Sequence, residues 1–177
     1  MDIRIEKTQK AIKNAFMELR SKKALEKISV KELCELACIN KSTFYSHYAD
    51  IYALSEALEI ETVNMIISSI PKDIDYTHFN PEAFSRELCI AFMSHFSIIK
   101  VLFSGNDDGR LANRLEHGIK ESIFKKYPEQ RNNEEYNVLL SYCIHGAYHA
   151  YNNNQHVPPE RLISIIENIV KTLQPLY

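Results

Sequence analysis

The sequence predicts an all-α protein of about nine helices, and three observations lead to this prediction. Long stretches repeat apolar residues at spacings of three and four, which places them on one face of a helix. Only four glycines and six prolines occur in 177 residues, few enough for long helices. Prolines and polar clusters fall between the periodic stretches, where they end one helix or open the next.

Residues 29–48 predict two short helices joined by a tight turn. Ser29 is a good N-cap, and Glu32 three residues later completes the pairing of a capping box. Apolar residues then share one helical face until residues 38–40 interrupt the pattern, and Asn40 provides a second N-cap. The residues of the first apolar face are Val30, Leu33, Leu36 and Ala37.

The second of these helices, over residues 41–48, has Phe44 as its one plainly apolar residue, so it anchors one side chain and exposes the others. Such a helix fits the major groove of DNA, where Lys and Asn read base edges and Ser, Thr, Tyr and His bind phosphate oxygens. Ordinary capping and a solvated surface is the competing interpretation. The predicted DNA-binding residues are Ser29, Lys31, Asn40, Lys41, Ser42, Thr43, Tyr45, Ser46, His47 and Tyr48.

The charge distribution is consistent with DNA binding. Residues 1–48 contain ten Lys plus Arg against six Asp plus Glu, a balance of +4, whereas the whole chain has a net charge of −2. A local basic face is what the release of counterions from DNA requires. The solvated sides of helices explain the individual lysines equally well.

The helices after residue 49 are marked by prolines and turns. Residues 50–69 form one long periodic run ended by Pro71, and Pro81 suits the first turn of the next helix. That helix continues to residue 103 with a bend near Ser97, and Asp107 caps the helix that follows a short turn. Further helices are predicted over residues 111–124, 133–154 and 159–173. We therefore predict an N-terminal domain of residues 1–49 and a C-terminal domain of residues 50–177.

Composition excludes several classes of protein. The sequence has no run of 18 apolar residues and no charged segment followed by an apolar one, so we expect a soluble, cytoplasmic protein with no membrane partner. Four cysteines without a secretory signal are expected to be reduced. The sequence contains no Gly-rich phosphate loop, no nucleophile elbow and no carboxylate pair in a setting that would tune their pKa values apart. We predict neither an enzyme nor a bound cofactor.

Residues 8–58 resemble the N-terminal domain of the TetR (tetracycline-repressor) family. The family's helix-turn-helix ends in Thr-x-Tyr-x-His-aromatic, which Thr43, Tyr45, His47 and Tyr48 match. The other matching residues are Ile12, Ala15, Phe16 and Leu19 on the first helix, Leu25 and Ile28 after it, and Leu54 and Leu58 on a long connecting helix. The resemblance implies a transcriptional regulator, most often a repressor, that binds a palindromic operator in double-stranded DNA as a homodimer. A ligand in its C-terminal domain would release or modulate it.

Two residues depart from the family pattern. Cys38 stands where the family usually has Gly, so it must either hold a positive φ or belong to a slightly different turn. Ile51 stands where the family usually has a Lys that contacts phosphate. These departures keep one alternative open, a TetR-like helical protein that acts through a protein partner with weak or no DNA binding of its own.

The last two predicted helices resemble those of TetR-like regulators of dihydroxyacetone kinase operons, through the Gly146 helix and the following Pro-Pro-Glu-Arg-Leu. In the family these helices pair with their copies to form the dimer interface, and an intramolecular core is the alternative for each residue. The candidate interface residues are Leu139, Leu140, Tyr142, Cys143, Gly146, Ala147, Ala150, Leu162, Ile165, Ile166, Ile169, Val170 and Leu173.

A ligand pocket is predicted from aromatic and polar residues, because small-molecule sites mix rings with a few polar groups. Its effector is an unknown small molecule, with a protein partner as the alternative, and plain core packing competes with the pocket itself. The candidates are Tyr76, His78, Phe92, His95, Phe96, Tyr142, His145, Tyr148 and His149.

Two pairs of residues one helical turn apart have further interpretations. His145 and His149 suit two metal ligands, but no third ligand is identifiable, so surface or interface histidines are favoured and no metal is predicted. Cys34 and Cys38 would sense oxidants if a neighbouring lysine stabilised a thiolate. Buried packing of both cysteines within the helix-turn-helix is favoured.

Overall fold

The structure is a computed structural model of the chain, and it describes residues 3–71, 79–103 and 109–172. Within these ranges every regular element is helical, which confirms the predicted all-α fold. Two short 3-10 helices, Leu25–Lys27 and Pro128–Asn132, lie between α-helices. The α-helices are α1 (Ile3–Lys22), α2 (Val30–Leu36), α3 (Lys41–Tyr45), α4 (Ile51–Ser69), α5 (Pro81–Ser94), α6 (Phe96–Leu102), α7 (Arg110–Lys126), α8 (Glu134–Asn153) and α9 (Pro159–Lys171).

The helix ends follow the chain's capping residues. Ser29 and Asn40 cap α2 and α3 as predicted, and Asn80 and Asn133 cap α5 and α8 in the same way. Each side-chain oxygen accepts a hydrogen bond from a backbone N–H that has no partner within the helix. Pro81 occupies the first turn of α5, where its missing N–H costs nothing.

Two predicted boundaries differ from the structure. The predicted cap Asp107 lies outside the described residues, and the residue that precedes α7 is Gly109, with a φ of 80° and no side-chain cap. The bend predicted near Ser97 lies at His95, which separates α5 from α6. Both features follow from backbone geometry that apolar spacing does not encode, so the pattern located the interruptions only to within two residues.

The described chain divides into two compact units. The first contains residues 3–62 and 97–103, and the second contains residues 63–71, 79–96 and 109–172. The first unit therefore extends beyond the predicted domain end at residue 49, into the first part of α4, and includes most of α6.

The core of the first unit is built from one apolar face of each of its helices. The face predicted for α1 is confirmed, because Ile12, Ala15, Phe16 and Leu19 are all buried. Burying one large apolar side chain contributes about 1.5–3 kcal/mol relative to leaving it exposed. Leu33 and Leu36 were both predicted on the inner face of α2, but Leu36 is 42% exposed. The buried residues of this seven-residue helix are Leu33 and Cys34. Fully buried apolar side chains from the other helices of this unit include Leu33, Phe44 and Leu54.

In the second unit, α5 is the central helix. It packs against both α8 and α9, and α8 packs in turn against α7. A helix between two neighbours buries more than one stripe of apolar residues, and this explains the dense apolar sequence of α5. Its buried residues include Phe84, Leu88, Cys89, Ala91 and Phe92.

None of the described helices combines the length with the hydropathy that a membrane span needs.

Candidate nucleic-acid interface

The turn between α2 and α3 uses a Schellman motif, in which two backbone N–H groups close the end of a helix. Ile39 N donates to Cys34 O at 3.0 Å, and Cys38 N donates to Glu35 O at 3.3 Å. This motif places its C′ residue in the left-handed region, and Cys38 there has a φ of 54°. Of the two alternatives for Cys38, the positive φ is confirmed. Outside glycine such a conformation costs roughly 1–2 kcal/mol.

Asn40 caps α3 through a side-chain oxygen that accepts three hydrogen bonds. Its Oδ1 accepts hydrogen bonds from Thr43 N, Thr43 Oγ1 and Ser42 Oγ, each at 2.7 Å. The Ser46 hydroxyl also donates inward, to Thr43 O at 2.7 Å. Three hydroxyl groups of the predicted DNA-binding set therefore donate hydrogen bonds within the motif. Each would have to rotate before it could donate to a phosphate.

Phe44 fixes α3 to the core, and Tyr45 projects from it. The Phe44 side chain is fully buried, while Tyr45 is 55% exposed and meets the Phe44 ring edge-on at 5.5 Å between centroids. Lys41, at the first position of α3, is also exposed. The predicted pattern of one anchored apolar residue and an outward polar face is confirmed. Among the exposed residues of α3, Lys41 and Tyr45 make no side-chain hydrogen bond within the described structure.

Tyr48 belongs partly to the core. Its ring lies 6.0 Å from the Phe44 ring and 6.4 Å from the His47 ring. Burial raises the pKa of the Tyr48 phenol, with an opposing effect from Lys13 and a reinforcing one from Glu61. Lys13 and Glu61 form an ion pair that joins α1 to α4. Tyr48 thus packs beside a contact between two helices, which leaves less of it available to DNA than the sequence pattern indicated.

Ser29 caps α2, and Lys31 lies in the first turn of that helix. Ser29 Oγ accepts a hydrogen bond from Glu32 N at 3.2 Å, so its half of the predicted capping box is confirmed. The Glu32 carboxylate instead pairs with Lys23. Lys31 is exposed, and its one described ion pair is a long contact of 3.9 Å with Glu35. Exposed pairs of this kind contribute between 0 and about 1 kcal/mol, so Lys31 can exchange Glu35 for a phosphate at little cost.

The cysteines of the motif differ in environment. Cys34 is buried, and burial raises the pKa of its thiol even though the Lys41 charge opposes the shift. Cys38 is exposed, so the expectation that both cysteines are buried is wrong for this residue. The left-handed backbone at Cys38 turns its side chain outward. All four cysteines of the chain are free thiols.

The start of α4 shows the surroundings of Ile51, which stands where the resemblance predicted a lysine. Ile51 is 5% exposed and forms part of the core of the first unit. Asp50 caps α4, since its Oδ1 accepts a hydrogen bond from Ala53 N at 2.7 Å. Tyr52, which the sequence analysis did not single out, is 58% exposed beside them. The sequence could have identified Tyr52 as an exposed phenol, because it lies at an outer position in the first turn of the connecting helix.

Comparison with known proteins adds the decisive observation. No protein-family model matches the sequence, and no curated protein matches it. Among solved structures, the chain is similar to a protein of Shewanella sp. PV-4 assigned to the TetR family of transcription regulators, with a TM-score of 0.59 and 12% identity over 94% of this chain and 95% of that one. It is also similar to the TetR family repressor AlkX of Dietzia sp. strain DQ12-45-1b, implicated in the biodegradation of n-alkanes, with a TM-score of 0.54 and 15% identity over the same shares.

The chain has the TetR fold. The similarity covers nearly the whole of the chain and of each similar structure, so it includes the second unit as well as the helix-turn-helix. The similar structures are described as a transcription regulator and a repressor.

The second unit of this TetR fold contains a cavity of about 520 Å³ that the sequence analysis did not predict. None of the seven predicted pocket residues within the described ranges lines it, and Tyr76 and His78 lie outside those ranges. Aliphatic side chains dominate the lining, and their spacing looks like that of any core helix, so the sequence offered no signal. The lining residues are Asn64, Ile67, Ser68, Ile70, Pro71, Ile119, Ser122, Ile123, Lys126 and Tyr127.

Within the described ranges, several of the predicted pocket residues contact neighbouring side chains. Phe92 and Tyr148 are buried with their rings 6.0 Å apart, and Tyr151 contacts both Phe92 and Phe96. His95 Nε2 lies 2.9 Å from Ser69 Oγ. For these aromatic residues core packing, the competing interpretation, describes the structure better. Tyr142 and His149 are exposed on α8.

His145 belongs to a polar cluster between α7 and α8. The Glu116 carboxylate accepts bonds from Lys120 Nζ at 2.6 Å, Ser141 Oγ at 2.5 Å and His145 Nε2 at 2.8 Å. Burial alone would raise the pKa of Glu116, but these hydrogen bonds and the Lys120 charge outweigh it and hold the pKa at about 2. The His149 ring stacks on the His145 ring at 6.5 Å. In the described part of the chain His145 is therefore the partner of a carboxylate.

The predicted interface residues on α8 and α9 divide into two groups. The first group is buried within the protomer and consists of Leu139, Leu140, Cys143, Ala147, Leu162, Ile166 and Val170. Leu173 lies outside the described residues. A cleft of about 140 Å³ lies between the two helices and is lined by Tyr142, Cys143, Gly146, Ala147, Ala150, Ile166, Ile169 and Val170. Large apolar side chains remain exposed on the same two helices, namely Val138, Tyr142, Ile165 and Ile169.

Proposed function

We propose that the protein is a sequence-specific DNA-binding transcription regulator, a repressor, that acts as a homodimer. The observation that carries the proposal is the exposure of Lys41 and Tyr45 on a capped helix whose Phe44 is locked in the core of a TetR-fold unit. A rigid helix with an outward cation and phenol suits base contact and phosphate contact in the major groove. Repression is preferred because one of the two similar structures is a repressor.

A dimer would give such a short helix enough contacts. One copy of α3 touches only a few base pairs, whereas two copies related by a two-fold axis read a palindrome with half-sites about 34–36 Å apart. The exposed apolar residues of α8 and α9 provide a surface for the second copy, with Tyr142 and Ile169 bordering a shallow cleft. We further propose that the protein acts in the cytoplasm and that a ligand of its second unit modulates DNA affinity. The ligand can do so only by its difference in affinity for two conformations.

A mobility-shift assay with DNA that flanks the protein's own gene tests the proposal. Lys41→Ala and Tyr45→Phe should each weaken operator binding by on the order of 1–3 kcal/mol, and Lys41→Ala should also relax base preference. Lys125→Ala, which removes an exposed lysine of α7, is the control and should bind as the wild type does. Equal affinities for all four proteins would reject the site. If the wild type shifts none of this DNA, a regulator acting through a protein partner becomes the better explanation.

A further inference from the structure

The cavity of the second unit is a cleft between the last turns of α4 and the second half of α7. Its floor consists of the isoleucine side chains 67, 70, 119 and 123, all buried or half-buried. At one end the helices approach closely at Gly118, where an added Cβ would lie 2.5 Å from Ile67 Cδ1. Pro71 and Tyr127 border the other end. At a rise of 1.5 Å per residue, residues 118–126 give the cleft a length of about 12 Å.

The rim of the cleft is polar and carries one sign of charge. Asn64 and Ser68 lie one turn apart on α4, and Ser122 and Lys126 lie one turn apart on α7. Among the described residues that line the cleft, Lys126 is the one with a formal charge, and no carboxylate lies beside it in that lining. The Lys126 ammonium is 5.1 Å from the centroid of the Tyr127 ring, which holds it at the end of the cleft.

Several of these polar groups have hydrogen-bonding capacity left. The Ser68 hydroxyl donates to Met65 O at 2.9 Å and retains its acceptor lone pairs. Within the described ranges, the Asn64 amide, the Ser122 hydroxyl and the Lys126 ammonium have no hydrogen-bond or ion-pair partner. A ligand that lies on the isoleucine floor would thus meet donors and one cation at its edge. The cavity volume of about 520 Å³ falls within the range of small-molecule sites.

We propose that this cleft binds a small apolar carboxylate, with the carboxylate at Lys126 and the apolar body on the isoleucine floor. This proposal rests on the proposed function, because it names the chemical class of the effector. Apolar contact supplies most of the binding, and the lysine selects an acid over a neutral or cationic ligand of the same shape. Asn64, Ile67 and Ser68 belong to α4, the helix that follows the helix-turn-helix in the sequence. An acid bound in the cleft would therefore contact the helix that leads directly from the proposed DNA-binding residues.

Decanoate is a suitable probe, since its extended chain is comparable in length to the cleft. Its binding to the full-length protein, free of DNA and below the micellar concentration, would be measured by calorimetry beside decanol and decyltrimethylammonium. We expect decanoate to bind at least tenfold more tightly than either. Lys126→Met keeps the apolar stem and should reduce decanoate affinity about tenfold while leaving decanol affinity unchanged. Lys125→Met removes the neighbouring exposed lysine, which does not line the cleft, and should change neither.

A blocking variant provides a second measurement. Ser122→Trp places an indole on the exposed rim of the cleft and should abolish binding of decanoate and decanol alike; its fluorescence would be the only indole signal in a chain without Trp. Unchanged decanoate affinity in both Lys126→Met and Ser122→Trp, or equal affinity of the wild type for the three probes, would overturn the site.

The regulatory part of the inference is tested separately. Decanoate should weaken operator binding at least tenfold in the wild type and in Lys125→Met, but not in Ser122→Trp. If decanoate binds the cleft and operator affinity stays constant, the cleft is not the effector site. Because operator binding without decanoate is measured in the same titration, a protein that binds its operator but ignores decanoate refutes this inference alone. Conversely, failure to bind any operator refutes the proposed function while the calorimetry still decides the ligand class.

Discussion

At the scale of single residues, Cys38 adopts a left-handed backbone conformation that usually favours glycine. The Schellman motif at the end of α2 needs a left-handed residue, and the hydrogen bonds of Cys38 N and Ile39 N are both formed although the residue is not glycine. The side chain is exposed, so no packing opposes its removal. The unfavourable free energy at this position therefore comes from the left-handed backbone conformation and not from the packing of the side chain.

Cys38→Gly should stabilise the protein. Removing the Cβ relieves roughly 1–2 kcal/mol of left-handed strain, and the greater freedom of glycine in the unfolded chain offsets part of that gain. We expect the free energy of unfolding in urea to rise by about 0.5–1 kcal/mol. Cys38→Ala removes the thiol but keeps the Cβ, and it serves as the control. An equal gain in both variants would show that the thiol, and not the backbone conformation, was responsible.

Asn40 combines two roles that mutation can separate. Its Oδ1 accepts three hydrogen bonds that organise the first turn of α3, so Asn40→Ala should cost about 1 kcal/mol of stability in addition to any effect on DNA. Asn40→Asp keeps an acceptor for the cap, and a negative charge is favourable at a helix N-terminus. Its carboxylate would nevertheless repel DNA phosphates.

We therefore expect Asn40→Asp to unfold at the same urea concentration as the wild type but to bind its operator at least tenfold more weakly. Urea denaturation and a mobility-shift assay on the same preparation would measure the two effects. Wild-type DNA affinity in Asn40→Asp would remove Asn40 from the DNA-facing set and leave it as a capping residue.

At the scale of elements, the polar cluster between α7 and α8 stabilises the packing of these two helices in a pH-dependent way. The pKa of Glu116 is about 2 in the folded protein against 4.5 as its ordinary value, so the folded state favours the ionised carboxylate. The resulting stabilisation is fully present above about pH 5 and is lost as the pH falls toward 2. The three donors around Glu116 come from both helices, which makes the cluster a link between them.

Glu116→Gln should lower the free energy of unfolding at pH 7 by on the order of 2 kcal/mol and flatten its dependence on pH between 5 and 2. Urea denaturation at a series of pH values would measure both effects. Glu121→Gln on the same helix is a matched control, because Glu121 is half exposed and pairs with Arg131 at 3.4 Å. A wild-type slope that persists in Glu116→Gln would mean that other carboxylates determine the acid sensitivity.

At the scale of the whole molecule, the proposed dimer makes the exposed apolar face of α8 and α9 a buried one. Ile169 is 51% exposed, and Ile165 lies one turn before it on α9. A glutamate in the centre of an apolar interface would have no partner and would be costly to desolvate.

Ile169→Glu should convert the dimer to a monomer at micromolar concentration without loss of helix content. Sedimentation velocity and circular dichroism would measure the two properties. Ile60→Glu changes an isoleucine of comparable exposure on α4 and should leave the assembly unchanged. A wild-type protein that sediments as a monomer, or a dimer that tolerates Ile169→Glu, would contradict the proposed interface.

The sequence by itself determined the helices and most of the helix-turn-helix motif. Apolar spacing located the helices because a helix needs one buried face, and the caps at Ser29 and Asn40 were readable because capping is a local hydrogen bond between residues three apart. The positive φ of Cys38 was one of two alternatives that the family pattern left open.

Only the tertiary structure decided which apolar residues remain exposed and where a cavity forms. Leu36 and Leu139 fit the same helical spacing, yet one is exposed and the other buried, because burial depends on which neighbouring helix covers each face. Of the residues predicted to line an aromatic pocket, Phe92 and Tyr148 are buried in the core, while a cleft near Lys126 lies where α7 approaches α4 closely at Gly118. Such a gap results from contacts between residues far apart in the chain, and no local pattern records it.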